Sequence, residues 1–555
     1  MAHNASFLGH VGIKNKHLDP LLESPIAHYL SQFSLWQGAV LLLCLFWGYS
    51  SLSVHRRIKV AGAPVHGYWS WLEPTWLLQL RYAKDAHKII EDGYKKYNAR
   101  GKPFVLRRQD LDITILPNKY ISELRTIPNA KLSRGKANFM VRHPPPAGIM
   151  SSYYIQTDLE WGDQWAMQTM WSHSEMPIKA ISENRNGQQG IYLEAMRKEF
   201  DFAMDVEMPE ADDWTEVDIQ KIIQMLLGRI VGKMIVGKQA CRSPEWMDLA
   251  EHFTEDFVAA SIIMRLLPRW MHPLLTNVIP QRWRLRKRLS GAAKITNLCV
   301  ARHEEAKRRK TDGIEVEEEE DNMLGWMLDN APDKEYVLKN LPTLVLVILV
   351  PAAHTTAMAI SNLLFDACQH PEWFEKLRGR SLASLTTSAL SANAIRLELL
   401  DSFFNESQRL SQPLSITPNR YALEDFTMKD GLQIPKGALL GWVSIHNQID
   451  PKITPRPEQF DPMRSYRKRQ ASAVEASKHQ AGQPSLENLS FGFGSQACPG
   501  RNIAVSVLKM VVSRLLADYE FKFGEHQAKP SNIHLLEFII PDPKAKLMMR
   551  KKKSA

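Results

Sequence analysis

The stretch LPTLVLVILVPAAHTTAMAISNLLFDAC, Leu341 to Cys368, is apolar on nearly every face of a helix for 15 residues. A helix that is hydrophobic all round either crosses a membrane or runs through the middle of a large core. Pro351, His354, Thr355 and Thr356 interrupt this run too early for a good span, so we expect the central core helix. The rest of the chain is able to supply that core. With 555 residues, it is too long for one small core but suits a single large domain. Its 44% hydrophobic and 23% charged composition is that of a globular protein.

The formal net charge is +10, with basic runs at Lys307–Lys310 and Arg550–Lys553. Such a balance fits nucleic acid, anionic lipid or acidic partners. No helix-turn-helix or zinc-finger pattern is present, so a nucleic-acid partner is not expected. The five cysteines, Cys44, Cys241, Cys299, Cys368 and Cys498, are odd in number and share no short spacing. That argues against a disulfide framework and against a CxxC metal site, and places the bulk of the chain in a reducing compartment.

The amino terminus has a different character. Residues 35–54, LWQGAVLLLCLFWGYSSLSV, form a run of 20 without a charge, enough to span about 30 Å as a helix. Trp36, Trp47 and Tyr49 lie toward its ends and HRRIK (His55–Lys59) follows at once, whereas Lys14 and Lys16 are offset by Asp19 and Glu23. The charge bias predicts residues 1–34 as a lumenal tail, 35–54 as a transmembrane anchor, and the remainder in the cytosol. A buried hairpin of core helix is the alternative for the same run. If the tail is lumenal, Asn4 in NAS is a candidate glycan acceptor.

Residues 55–74 read as a basic and Pro/Gly-bearing linker, and 75–555 as the main domain. Ala83–Tyr97 has helical spacing, KPFVLRRQDLDITILP reads as two short strands joined by a polar turn, and NKYISELRTIP returns to helical spacing. Trp214 to Gly237 carries apolar residues at helical intervals. GIEVEEEEDN (Gly313 to Asn322) is a solvated acidic loop, and short strands and turns follow Pro413.

In SFGFGSQACPGRNIAV, Ser490 to Val505, one cysteine sits in a glycine-punctuated loop that runs into an apolar, helix-like segment. A helix amino terminus, with its free N–H groups and positive dipole end, favours a thiolate over a thiol. Gly492, Gly494 and Gly500 let the backbone turn tightly and approach something flat or bulky. A single thiolate with hydrogen bonds to its sulfur is how a protein holds heme iron for oxygen chemistry, whereas zinc would need further Cys or His ligands nearby.

FGFGSQACPGR resembles the heme-binding loop of the cytochrome P-450 superfamily, whose Phe, Gly, Cys and Gly positions are filled by Phe491, Gly494, Cys498 and Gly500. Glu406 and Arg409 in FFNESQRL are similar to the family's E-x-x-R pair, and Arg464 in PEQFDPMR completes the Glu–Arg–Arg network that such proteins bury. PAAHTT, Pro351 to Thr356, resembles the oxygen-binding stretch of the family's central helix. There Thr355 matches the threonine that hydrogen-bonds bound dioxygen, and Ala352 leaves room for O2. His354 replaces the usual acid; it can pass protons near neutral pH, or merely make a buried hydrogen bond. Pro351 stands where Ala or Gly is usual. Arg420 in TPNRYALEDF aligns with an arginine that pairs with a heme propionate. The resemblance runs from about Val60 to Lys553 and is closest to filamentous-fungal members of secondary metabolism.

Two positions depart from the pattern. Gln496 stands two before the cysteine, where Arg or His often meets a propionate. The third-helix region offers Trp161, Trp165 and Trp171 without an arginine at the expected spacing.

The resemblance implies a mostly α fold with a small β-rich portion, carried here on an N-terminal transmembrane helix. It implies a heme-thiolate monooxygenase with heme b, O2 as co-substrate, and electrons from NADPH through a membrane-bound reductase that docks on the basic surface. Endoplasmic-reticulum membrane placement follows, single-pass with the catalytic domain cytoplasmic. Ala352, PLSITP (Pro413 to Pro418) and EFIIP (Glu537 to Pro541) would frame a bulky hydrophobic substrate such as a terpenoid or meroterpenoid. Isomerisation, desaturation or coupling on the same heme, or a membrane-anchored heme-binding protein without turnover, are the alternatives.

Overall fold

The structure is a computed structural model that describes residues 60–71, 73–108, 112–133, 188–266, 278–314, 322–331, 333–378 and 398–552. The chain divides into two compact units, Met1–Arg57 with Trp69–Leu78, and Ile58–Tyr68 with Gln79–Ala555. The described part of the first is a turn in which the Trp69 amide donates to the Glu73 carboxylate at 2.6 Å, followed by the start of a helix. The second holds the sheet, the long helices and the cysteine loop.

The longer helices are α1 (Thr75–Lys96), α2 (Gln188–Glu207), α3 (Ile219–Val236), α4 (Pro244–Leu266), α5 (Pro280–Thr311), α6 (Lys334–Leu349), α7 (Thr355–Gln369), α8 (Glu398–Ser411) and α9 (Arg501–Asp518). Helix α1 begins earlier than its periodicity indicates, with the Leu77 amide donating to the Pro74 carbonyl at 3.0 Å. NKYISELR is a 3-10 helix, Asn118–Arg125. The start of the Trp214–Gly237 stretch is not helical: Thr215–Val217 is a strand paired with Leu547–Lys551. Helix α3 begins only after Asp218, whose side chain accepts from the Lys221 amide at 3.1 Å. The acidic loop 315–321 lies outside the described residues.

The main sheet has the strands β1 (Val65–His66), β2 (Phe104–Arg107), β3 (Asp112–Ile115), β4 (Leu132–Ser133), β5 (Ile416–Ala422) and β6 (Leu439–Val443), in the order β1-β2-β3-β6-β5-β4. β2 and β3 pair antiparallel, as the two-strand reading requires, and β3 then meets β6 in parallel. β5 and β6 pair antiparallel with a register shift between Ile416 and Asn419. A separate hairpin, β7 (Ile533–Leu535) and β8 (Phe538–Ile540), completes the small β-rich portion needed here.

Helices α6 and α7 carry the apolar run. Between them Val350–His354 forms a π-turn, where Pro351 has no N–H to give a regular ladder. α6 packs against α3 and α5, the π-turn against α3 and α4, and α7 against α3, α8 and α9. Ile360, Leu363, Leu364 and Phe365 are fully buried, so this is the central core helix.

The expected fold class needs one correction. Among the described residues, the helix long and apolar enough to cross a membrane is Val337–Gln369, whose most apolar 18-residue stretch has mean hydropathy 2.0, and not one near the amino terminus. That helix earns its apolarity from the core packed round it. The expected N-terminal transmembrane helix therefore drops out of the fold class; residues 35–54, on which it rested, lie outside the described residues, as does Asn4.

Candidate active site around Cys498

The cysteine loop is a closed turn at the mouth of α9. The Gly492 amide donates to the Leu489 carbonyl, and the Cys498 amide to the Phe491 carbonyl, each at 2.8 Å. Gly492 and Gly494 have φ of 76° and 75°, a region that disfavours side chains. A Cβ on Gly494 would also lie 3.1 Å from the Leu124 carbonyl. Gly500 differs: at φ −84° it is the helix cap and needs no glycine freedom. Cys498 is a free, half-buried thiol three residues before the first turn of α9, and Arg501 donates to its carbonyl at 2.9 Å.

Two further elements hold this loop. Arg420 on β5 is buried and donates to the Phe493 carbonyl at 2.8 Å, while Arg125 lies over the Phe493 ring, 4.9 Å from its centroid. Behind the loop, Gln412 donates to Ser444 Oγ at 2.8 Å and accepts from Gln448 at 2.9 Å and from Ser490 Oγ at 3.1 Å. Gln412, Ser444 and Gln448 are all buried, so this amide–hydroxyl cluster ties the first residue of the loop to the end of α8. Sequence reasoning missed it, because glutamines and serines at scattered positions carry no spacing signal.

Glu406 and Arg409 meet at their E-x-x-R spacing, and Arg464, which the resemblance implied, joins them. Glu406 Oε1 and Oε2 accept from Arg409 Nη2 and Nε at 2.8 and 3.0 Å, and Oε2 accepts from Arg464 Nε at 3.1 Å. The Asp461 amide adds a further donor at 2.9 Å. The arginines spend their remaining hydrogens on the Pro455, Pro457 and Gln459 carbonyls. A buried charge thereby fixes the whole 455–464 segment to α8. α8 is also tied to α9 through Asp401, which pairs with Arg469 at 2.9 Å and Lys509 at 2.5 Å; burial pushes its carboxyl above the usual range.

In the central helix, Pro351 and Thr355 are exposed while Ala353 and Thr356 are buried, so the π-turn presents one open face. Thr355 Oγ1 donates to the Pro351 carbonyl at 2.6 Å, and Thr356 Oγ1 to that of Ala352 at 2.8 Å. His354 points elsewhere. Burial lowers its pKa from 6.5 to about 4, only partly offset by a hydrogen bond to the Ala250 backbone on α4. Its Nε2 is buried with no hydrogen-bond partner among the described residues. The ring is thus neutral at pH 7, and the expectation that it titrates near neutrality is corrected: burial outweighs the intrinsic value.

The family model for cytochrome P-450 matches residues 164–549. The chain belongs to the cytochrome P-450 family. It is 70% identical to the cytochrome P-450 monooxygenase sdnB of Sordaria araneosa, over 100% of this chain and 99% of that one. It is 34% identical to the cytochrome P-450 monooxygenase ATR4 of Stachybotrys chlorohalonatus (strain IBT 40285), over 95% and 97%. It is 30% identical to the ent-kaurene oxidase of Fusarium fujikuroi, over 90% of each.

As a member of this cytochrome P-450 family the protein is a heme-thiolate monooxygenase, using heme b, O2 and NADPH-derived electrons delivered by a reductase. A reductase partner and membrane association go with the family. The residues present fit the heme: one half-buried thiol in a loop with positive-φ glycines at Gly492 and Gly494, and a buried cation, Arg420 on β5, that donates to the same loop. Gln496, in place of the more usual cation, donates to Asn129 Oδ1 and the Leu132 carbonyl, each at 2.7 Å. Its amide is therefore spent on fixing the loop to β4. The third-helix stretch with Trp161, Trp165 and Trp171 lies outside the described residues.

Proposed function

We propose that this monooxygenase oxidises a bulky, hydrophobic terpenoid-type secondary metabolite, at the endoplasmic-reticulum membrane with its catalytic domain, residues 75–555, facing the cytosol. The observation that carries the substrate class is the likeness over nine-tenths of the chain to proteins named ent-kaurene oxidases. The apolar character of Ala352, Leu414, Ile416, Phe538 and Ile540 supports it.

Heme b, bound through the Cys498 thiolate, supplies reductive activation of O2 and oxygen transfer. Every other contribution comes from the chain. Phe491, Gly494 and Gly500 shape the loop that aims Cys498, and Arg420 pairs with a propionate while holding the Phe493 carbonyl. Glu406, Arg409 and Arg464 brace the cysteine side, so that the thiolate meets its ligand in one geometry. Thr355 Oγ1 holds a proton on the open face; its resting acceptor, the Pro351 carbonyl, lets the hydroxyl be released by a simple χ1 turn. His354, neutral, relays a proton only by accepting it at Nε2.

The test is expression with a cognate reductase and supply of ent-kaurene alongside other fungal terpene hydrocarbons. An NADPH-dependent product heavier by one oxygen supports the reading. Turnover of aromatic polyketides but of no terpenoid would overturn the substrate class.

A further inference from the structure

Three histidines from three separate elements meet beside α1. His87 on α1 stacks on His534 of β7, with ring centroids 4.6 Å apart and planes inclined by 29°. The Nδ1 atom of His87 is buried without a hydrogen-bond partner among the described residues. Two turns further along α1, the Tyr94 ring centroid lies 6.0 Å from that of His446. His446 belongs to the short helix Ser444–Gln448, and its half-buried ring is close enough to feel the charge of both other histidines.

Among the described residues, the carboxylates that reach this junction are already engaged. Glu91 faces His446 and His87 from α1 and pairs with Lys95 at 2.5 Å; Asp85, which faces His87, pairs with Lys88 at 3.1 Å. Asp450, just past the short helix, accepts from Tyr94 Oη at 2.9 Å. Burial, only partly offset by Glu91 and reinforced by Lys95, lowers His446 to about 4. Burial and then the charge of His87 hold His534 below its usual value. The junction is thus packed for neutral rings, and protons on more than one of them repel at close quarters.

The short helix that carries His446 also grips the segment leading into the cysteine loop. Gln448 Nε2 donates to Ser490 Oγ at 3.1 Å, Ser444 Oγ accepts from Gln412 at 2.8 Å, and Asn447 Nδ2 donates to the Leu486 carbonyl at 3.1 Å. Ser444, Asn447 and Gln448 are buried, so three polar anchors point inward while His446 meets α1. We propose that the His87–His446–His534 junction is an acid-sensitive latch: neutral, it seats the helix Ser444–Gln448; protonated, it parts, and the cysteine loop loses its hold on the thiolate geometry. This rests on the heme-thiolate reading of Cys498 given above, and not on the substrate class.

It is tested on the full-length heme-loaded protein by recording the reduced carbon-monoxide spectrum from about pH 7.5 to pH 4.5 in wild type, His446→Gln and His534→Gln. The latch predicts that wild type loses its red-shifted band in one steep acid transition. Each variant has one proton fewer to take up, so its transition is less steep and centred about half a unit or more lower. An unaltered midpoint and steepness in both variants would overturn the latch, because the transition would then belong to Cys498 itself. Hydrogen exchange over 444–448 and 84–95 in wild type, corrected for intrinsic rate, gives a second readout that needs no variant to fold. Protection lost ahead of the band supports the latch, and protection kept until after the band has gone overturns it. A wild-type protein lacking the red-shifted band at pH 7.5 would instead remove the heme-thiolate reading, and this proposal with it.

Discussion

Glu406 accepts from two arginines and a backbone amide while almost wholly buried, so its loss leaves Arg409 and Arg464 without their shared anion. Breaking a buried ion pair on one side costs about 3–5 kcal/mol. Glu406→Ala is therefore expected to abolish heme incorporation, read as heme per mole of purified protein; normal heme content would contradict the bracing role. Thr355→Ala removes the exposed side-chain proton donor next to the π-turn among the described residues. Product formation should drop about a hundredfold, the low end of what a positioned proton donor contributes, with Thr355→Ser restoring most of it. The Glu406–Arg409 pair was legible in the sequence because three-residue spacing puts both side chains on one helix face. Glu537 was not: nothing in EFIIP signals that its acid meets Tyr82, 455 positions earlier in the chain.

At the scale of elements, the apolar run was legible as a core helix because Pro351, His354 and two threonines spoil it as a membrane span. The strand Thr215–Val217 was not, since its partner is formed at the far end of the chain and only that pairing overrides helical periodicity. The Gln412–Ser444–Gln448–Ser490 cluster belongs here too, as the tie between α8 and the cysteine loop. Gln412→Leu removes three hydrogen bonds at once while Ser444 keeps the Ser415 carbonyl and Gln448 keeps Ser490, a loss of about 1–3 kcal/mol. The expected result is a reduced carbon-monoxide complex that decays more quickly to an unshifted Soret band under mild warming. A variant as durable as wild type would show that the cluster does not hold the loop.

For the whole molecule, two half-buried histidines with shielded rings tie stability to pH. Burial lowers His354 and His446 from 6.5 to about 4, so between those values the unfolded chain binds protons that the folded one does not. Stability is complete above pH 6.5 and is lost as pH falls toward 4, by up to about 3 kcal/mol per histidine. The melting temperature should fall between pH 7 and pH 5, and His446→Gln should flatten that slope; an equally steep slope in the variant would refute the assignment. The net charge of +10 makes a further demand: reductase-supported turnover should weaken as salt rises through the range in which surface charges are screened. Turnover indifferent to salt would mean that docking does not depend on that charge.

The proposed active site depends on one proposed bond, between Cys498 and the heme iron. The carbon-monoxide difference spectrum of the reduced protein tests it most directly, taken on wild type and on Cys498→Ser in parallel. The account predicts a strongly red-shifted Soret band in wild type and none in Cys498→Ser. A red-shifted band that survives the substitution, or an unshifted band in intact wild type, would contradict it.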